Sequence, residues 1–361
     1  MRVALIAPPF LPVPPQKYGG TELFIAQLAE GLQSAGVDVV VYTISQSTVG
    51  VETRWFYKDA QWPIKGEVFD NLKDMNHASW AVRDASNDCD IIHLHNVPSL
   101  MFTRYVREPF VYTVHHVHEE PISAIYANFP DVEFVTISDF QRRQEKMARI
   151  RTIHHGVDMK QYTFKQKKQD YFVFLGRIAP IKGTHLAIEV AKKAGVPLKI
   201  AGEVQPMFRD YFDSMVKPQV DGKFIEFVGP VDLAAKNELL ANARAMLFPI
   251  QWNEPFGLVM IEAMACGTPV LALPGGSVEE VVRDGISGFV CNSVEDMTNR
   301  ALHSLPKIQP QTVRDYVCQY FSLERMVADY HALYKEIAGA ATPLRVARSG
   351  TAVRGLSVRR S

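Results

Sequence analysis

The sequence predicts an α/β fold of two Rossmann-like parallel-sheet domains, and three observations carry that prediction. A chain of 361 residues is longer than one hydrophobic core usually supports. Apolar runs of strand length alternate with longer amphipathic stretches, the pattern of βαβ units and a parallel sheet. The rhythm breaks at the polar stretch Lys165–Asp170 and then restarts, as expected of a linker between domains. The first domain is therefore expected over 1–165 and the second over 166–320, with the segment 321–338 crossing back to the first.

In the first domain Val3–Ala7 opens the series as a buried strand. A Pro-rich loop, Pro8–Tyr18, leads to Gly19-Gly20-Thr21 and a helix over Glu22–Ser34 with Phe24, Leu28 and Leu32 at four-residue spacing. Gly36 stops that helix and Val37–Thr43 returns as a strand. Further strands are expected at Ile91–Leu94, Phe110–Val114 and Phe134–Ile137. The second domain begins with strand Tyr171–Leu175, helix Thr184–Ala194 and strands Pro197–Ala201 and Phe224–Val228. Helix Ala234–Ala243 and strand Met246–Pro249 follow. Helix Leu323–Ile337 gathers Met326, Tyr330, Leu333 and Tyr334 on or near one face. From Thr342 to Ser361 five arginines stand among few large apolar residues with no acid, and a disordered tail is expected.

Bulk properties remove several function classes. Hydrophobic residues at 47% and charged residues at 22% are ordinary for a globular chain. Basic and acidic residues balance at 39 each, so no global field draws the protein to nucleic acid or an anionic membrane. Cys89, Cys266, Cys291 and Cys318 are far apart and form no CxxC pair, which speaks against a zinc ribbon or a disulfide framework and for a reduced cytoplasm. The apolar run at Met1–Ala7 ends at Pro8-Pro9, too short for a spanning helix or a signal sequence, so no integral membrane segment is expected.

The most informative string runs from Asn253 to Val270, NEPFGLVMIEAMACGTPV. It reads as loop, helix from near Leu258, stop at Gly267, and strand beyond Pro269. The unpaired N–H groups of a helix N-terminus and its dipole would make a phosphate cradle at Gly257, Leu258 and Val259. Glu254 precedes that cradle and Glu262 lies one turn inside the helix. Carboxylates accept forked hydrogen bonds from neighbouring hydroxyls, which suits the pair to gripping sugars on either side of a diphosphate. A second string, Gly176-Arg177-Ile178-Ala179-Pro180-Ile181-Lys182-Gly183, lies between a strand and a helix and offers two cations to one anion. No GxGxxG follows either opening strand, which argues against a dinucleotide oxidoreductase.

These strings resemble retaining glycosyltransferase family 4, also described as glycosyl transferases group 1. The likeness rests on the Glu, seven residues, Glu arrangement inside EPFGL…EAMACGTPV, with the Arg177/Lys182 string in support. It implies the GT-B fold, two Rossmann-like domains facing a central cleft. By resemblance Glu254 and Phe256 would lie at the donor, Glu254 would contact hydroxyls of the transferred sugar and Glu262 the nucleotide ribose. Gly176, Arg177 and Lys182 would meet the donor diphosphate, and Gly19-Gly20 resembles the glycine pair that lets backbone approach it. His115, after strand Phe110–Val114, aligns with the family's active-site histidine, but His116 and His118 beside it leave the assignment open. The catalytic set implied is His115, Glu254, Arg177 and Lys182. His154-His155-Gly156-Val157-Asp158 resembles an Asn-Gly-Val-Asp turn with His155 in place of asparagine, expected to shape the linker rather than do chemistry. No metal is expected, although His93 and His95 share a strand face.

The implied activity is transfer of a hexose from a nucleotide diphosphate sugar, which is co-substrate rather than cofactor. UDP-glucose is the favoured donor and GDP-mannose the next, with a small metabolite or glycan as acceptor. A sugar-nucleotide epimerase of the same fold and a non-catalytic sugar-nucleotide-binding protein are the competing readings. A two-carboxylate glycosidase fits less well, because Glu254 and Glu262 suit sugar and ribose binding.

Overall fold

The computed structural model of the chain describes residues 1–16, 19–64 and 68–349, with side chains through 340. Two all-parallel sheets make the architecture. The first has seven strands: β1 (Arg2–Ile6), β2 (Asp38–Thr43), β3 (Glu52–Trp55), β4 (Ile91–Leu94), β5 (Phe110–Val114), β6 (Glu133–Thr136) and β7 (Ile150–Thr152). Their order is β3-β2-β1-β4-β5-β6-β7. The second has six, β8 (Phe172–Leu175), β9 (Leu198–Ala201), β10 (Ile225–Gly229), β11 (Ala245–Phe248), β12 (Val270–Ala272) and β13 (Gly288–Val290), ordered β10-β9-β8-β11-β12-β13. Central strands such as VALI and AMLF are apolar at nearly every position because helices cover both faces, and their side chains are fully or almost fully buried.

In each sheet the chain winds outward one way from the first strand and then reverses. The reversal falls between β1 and β4 in the first domain and between β8 and β11 in the second. Ligands of doubly wound sheets bind in the crevice beyond the carboxyl ends of the strands at such a point. The loops leaving β1 and β4 carry Gly19-Gly20 and His95, and those leaving β8 and β11 carry Arg177–Gly183 and Trp252–Gly257.

The expected elements form with ends shifted by a residue or two, and several further elements join them. Strands β3, β7 and β13 were not expected, nor were helices Val68–Ala85, Val294–His303 and Pro310–Tyr320. Each of the three strands has only three or four residues, and ETRW and IRT carry little apolar signal. The last helix, Leu323–Ser349, runs past Ile337, where the sequence pattern places its end. Three of the next four residues, Ala338, Ala340 and Ala341, are alanines, the best of helix formers, and they carry it on. Of the segment expected as a disordered tail, 342–349 is helical in its backbone, and 350–361 lie outside the described residues.

That last helix belongs to the core of the first sheet. Met326, Val327, Tyr330, Leu333 and Tyr334 are packed with Phe24, Leu28 and Val111, and Val327 sits directly against Gly31, where a Cβ would collide with it. Polar contacts fix the register: Tyr334 OH lies 2.6 Å from His93 Nδ1, while Thr113 Oγ1 lies 2.8 Å from His93 Nε2 and 2.9 Å from Tyr330 OH. The return passes close to the interdomain turn, where Val157 N–H donates to Phe321 O and Leu323 N–H to Val157 O, both at 2.9 Å. No helix among the described residues is long and apolar enough to cross a membrane, and all four cysteines are free thiols.

Candidate active-site cleft

The loop before helix Leu258–Ala265 owes its shape to Gly257, whose φ of +79° is open to glycine and costly for other residues. Its carbonyls are tied down from the Gly275–Ser277 loop. Ser277 N–H donates to Glu254 O and Ser277 Oγ–H to Phe256 O, both at 2.9 Å. No side chain caps the helix, and the N–H groups of Gly257, Leu258 and Val259 have no acceptor among the described residues. N–H groups left open at a helix N-terminus can receive an anion. Gly267 takes φ +73° after the helix end, as the sequence requires of a stop.

Two buried carboxylates flank that N-terminus, each held by a lysine through one oxygen. Glu254 Oε2 accepts from Lys182 Nζ at 2.5 Å and from Trp252 Nε1 at 2.9 Å. Glu262 Oε1 accepts from Lys236 Nζ at 2.6 Å and from Tyr162 OH at 2.9 Å. The second oxygen of each makes no hydrogen bond among the described residues, so both can still receive a hydroxyl. Lys182 also lies 4.6 Å from the centre of the Trp252 ring, a cation–π contact that steadies it. Arg177 is partly buried and, among the described residues, pairs with no carboxylate.

The structure thus brings Lys182 to Glu254, 72 residues away in sequence. It brings Gly20, Leu258 and Glu262 to one narrow crevice, together with Tyr162 and His155. Neither this crevice nor the large cavity beside it is lined by Arg177 or Lys182. The Phe256 side chain is turned inward. It is 1% exposed and wedges edge-on against His155, ring centres 5.1 Å apart, and against Phe321.

The large cavity, about 1620 Å³, opens over the first sheet and is lined by Gly19, Gly20, His95, His115 and His116, with Glu203, Gln205, Pro206 and Met207 from the second domain. His115 Nε2 lies 3.1 Å from His95 Nδ1, and its ring stacks parallel to His155 at 6.1 Å. Burial, with His155 alongside, holds the His115 pKa well below the ordinary imidazole value, so it is neutral at pH 7. His116 is spent on Tyr126 OH and Val117 O, each at 2.6 Å, and His118 faces Glu145 at 3.0 Å outside the cavity. Of the three, His115 and His116 line the cavity, and the partner of His115, His95, lines it too.

His93 has both ring nitrogens committed to Tyr334 and Thr113, which leaves it no atom for a metal. One group among the described residues, Asp139, His154 and Glu280, gathers possible ligand atoms within 4.8 Å. The Glu280 carboxylate already works as an interdomain clasp. Glu280 accepts the N–H of Asp139 at 2.7 Å and that of Phe140, and meets His154 Nε2 at 3.2 Å. Sequence reading missed Tyr162, Trp252 and Lys236 as partners of the two glutamates, since nothing in spacing links residues so far apart.

The chain matches Glycosyltransferase Family 4 over residues 18–161 and Glycosyl transferases group 1 over residues 158–313. Spore coat protein SA of Bacillus subtilis is 22% identical over 90% of this chain and 92% of its own length. Phosphatidyl-myo-inositol mannosyltransferase of Mycobacterium leprae is 27% identical over 80% of this chain and 83% of its own. The solved structure of Anabaena HepE in complex with UDP and glucose superposes with a TM-score of 0.72 at 16% identity, covering 93% of this chain and 100% of that one. The chain has the GT-B fold, with two sheets about a central cleft, and is related to the glycosyltransferases of those two families.

Proposed function

We propose that the protein is a retaining glycosyltransferase that moves a hexose from a nucleotide diphosphate sugar, UDP-glucose first and GDP-mannose second, to a hydroxyl acceptor. One observation carries the reading: Glu254 and Glu262, each held through one oxygen by a lysine, flank an open helix N-terminus at the second sheet's reversal point. The free Glu262 oxygen is placed for a ribose hydroxyl and that of Glu254 for the sugar. Donor binding moves Lys182 from Glu254 toward the diphosphate, where it joins Arg177. The Anabaena relative, solved with UDP and glucose, supports a UDP-sugar donor, and the mycobacterial mannosyltransferase keeps mannose second.

In the reaction the bond from the anomeric carbon to the donor phosphate breaks and a bond to the acceptor oxygen forms on the same face. The acceptor proton passes to the departing phosphate oxygen, so no protein nucleophile is needed. Arg177, Lys182 and the amides at Gly257–Val259 stabilise the growing diphosphate charge, the preorganised electrostatics that dominate many rate enhancements. These cations take the place a metal ion would otherwise fill. His115, neutral, offers a ring N–H or lone pair beside the sugar. The free, buried thiols Cys89, Cys266 and Cys291 suit a reducing cytoplasm.

The test is product analysis with UDP-glucose or GDP-mannose, a panel of hydroxylated acceptors, and EDTA present. Nucleotide release that requires acceptor, with an α-linked product by NMR, is expected. A β-linked product would refute retention. An epimerised nucleotide sugar formed without acceptor would favour the epimerase instead.

A further inference from the structure

Besides Gly19, Gly20 and His115, which the donor reading uses, the large cavity over the first sheet is lined by groups that it does not use. Among the described residues its lining holds three carboxylates, Glu22, Asp74 and Glu203, and no lysine or arginine. Glu22 and Asp74 are only 6% and 8% exposed. Among the same residues Asp74 has one partner, Asn96 Nδ2 at 2.6 Å, and the Glu22 carboxylate accepts no side-chain hydrogen bond. His95, 5% exposed and lining the same cavity, has a buried Nε2 with no partner among the described residues.

Buried polar atoms are almost always hydrogen-bonded, and buried carboxylates without a cation are costly. The same burial raises the pKa of both acids. Burial pushes Asp74 up to about 6, against the lowering effect of Asn96, and raises Glu22 as well. A ligand bearing hydrogen-bond donors would relieve both, whereas a phosphate or carboxylate would be repelled at close range in a low-dielectric site.

The mouth of the cavity has the opposite character. Trp62, Ile64, Met75 and Met207 line it while remaining 57%, 46%, 40% and 78% exposed. Large apolar side chains left open in one place mark a surface that binds something apolar. The acid-lined floor and the apolar rim are parts of one continuous space.

We propose, resting on the transferase reading, that the acceptor is an amphiphile. Its hydroxylated head, uncharged or carrying an ammonium but no anionic group, meets Glu22, Asp74 and His95, and its apolar portion lies on Trp62, Ile64, Met75 and Met207. The inference narrows the acceptor by charge and shape. It separates this chain from enzymes that grip a phosphorylated or carboxylated acceptor.

Matched probes test it by calorimetry on the full chain with and without saturating UDP: octyl α-glucoside below its micelle concentration, its 6-amino and 6-phosphate analogues, and methyl α-glucoside. The octyl glucoside and its amino analogue are expected to bind at least about tenfold more tightly than the phosphate or the methyl glucoside. Asp74→Asn is expected to bring the neutral-to-phosphate ratio toward one, a change that simple loss of packing would not produce. Equal or tighter binding of the phosphate, equal binding of methyl and octyl glucosides, or no binding of any probe would overturn the proposal. Failure of the donor reading is seen separately, as no response to any nucleotide, and the UDP-free arm still reads the acceptor cavity.

Discussion

Replacing Arg177 and Lys182 together with alanine is expected to lower kcat/KM by about 10³-fold or more. In the proposed mechanism these two cations meet the departing diphosphate beside the amides at Gly257–Val259. Loss of one preorganised donor to a developing anion costs about 10² to 10³ in rate. The single variants separate chemistry from folding. Arg177 pairs with no carboxylate among the described residues, so Arg177→Ala should shift stability by no more than about 0.5 kcal/mol. Lys182→Ala leaves the nearly buried Glu254 with Trp252 alone, and a cost of about 1–3 kcal/mol is expected. Steady-state kinetics with urea melts on the same samples distinguishes the two effects. Unchanged kcat/KM in the double variant would remove the diphosphate role.

Stability is expected to fall by at least about 5 kcal/mol between pH 7 and pH 5, a large part of an ordinary folding free energy. Burial lowers His77 to about 4 and His93 and His155 to about 3, and it drives His95 and His115 well down too. His93, His95, His115 and His155 pack as a column from the crossover helix, where His93 meets Tyr334, to the interdomain turn at His155, and protonating any of them in place means charging the core. The unfolded chain takes up protons near pH 6.5 while the native chain does not. Their contribution is therefore present above pH 6.5 and is lost as pH falls toward the native values. His77, His93 and His155 each lose about 2 kcal/mol by pH 5, and His95 and His115 act in the same direction. Asp74 works in the opposite sense. Its native value near 6 lies above its unfolded value, so its protonation on acidification returns about 1 kcal/mol. Urea midpoints measured from pH 7.5 to 5 should drop steeply below 6.5, and a flat profile would contradict the buried, neutral column.

What was legible in the sequence was whatever is written locally. Gly257 and Gly267 bracket a helix because each supplies a backbone angle that other residues resist, and the string around them carries its own punctuation. The apolar strands β1, β4, β5 and β8 read clearly for the same reason. The three-residue IRT of β7 and the mixed ETRW of β3 carry no period, and they are strands because a neighbouring strand is there to pair with. The pairings inside the site were hidden by distance along the chain. Lys182 and Glu254 were both named from motifs, but only the fold shows that they hold each other before a donor arrives. Lys236 and Tyr162 belong to no motif and became visible only around Glu262. Phe256 sits within the motif yet serves the interdomain core, a burial that its position in the string could not reveal. Glu22 read as an acid in a helix's first turn, and its place in the cavity wall depended on the sheet's reversal point.

The most direct measurement of the central claim is thermal stabilisation of the chain by UDP, GDP, ADP and their sugar conjugates, with EDTA present, in the native protein and in the Arg177→Ala/Lys182→Ala variant. One nucleotide family at about 100 times its dissociation constant should stabilise the native chain by about 2.7 kcal/mol and the variant by much less at the same concentration. No stabilisation by any nucleotide, or equal stabilisation of the variant, would contradict a nucleotide-sugar site built on these residues.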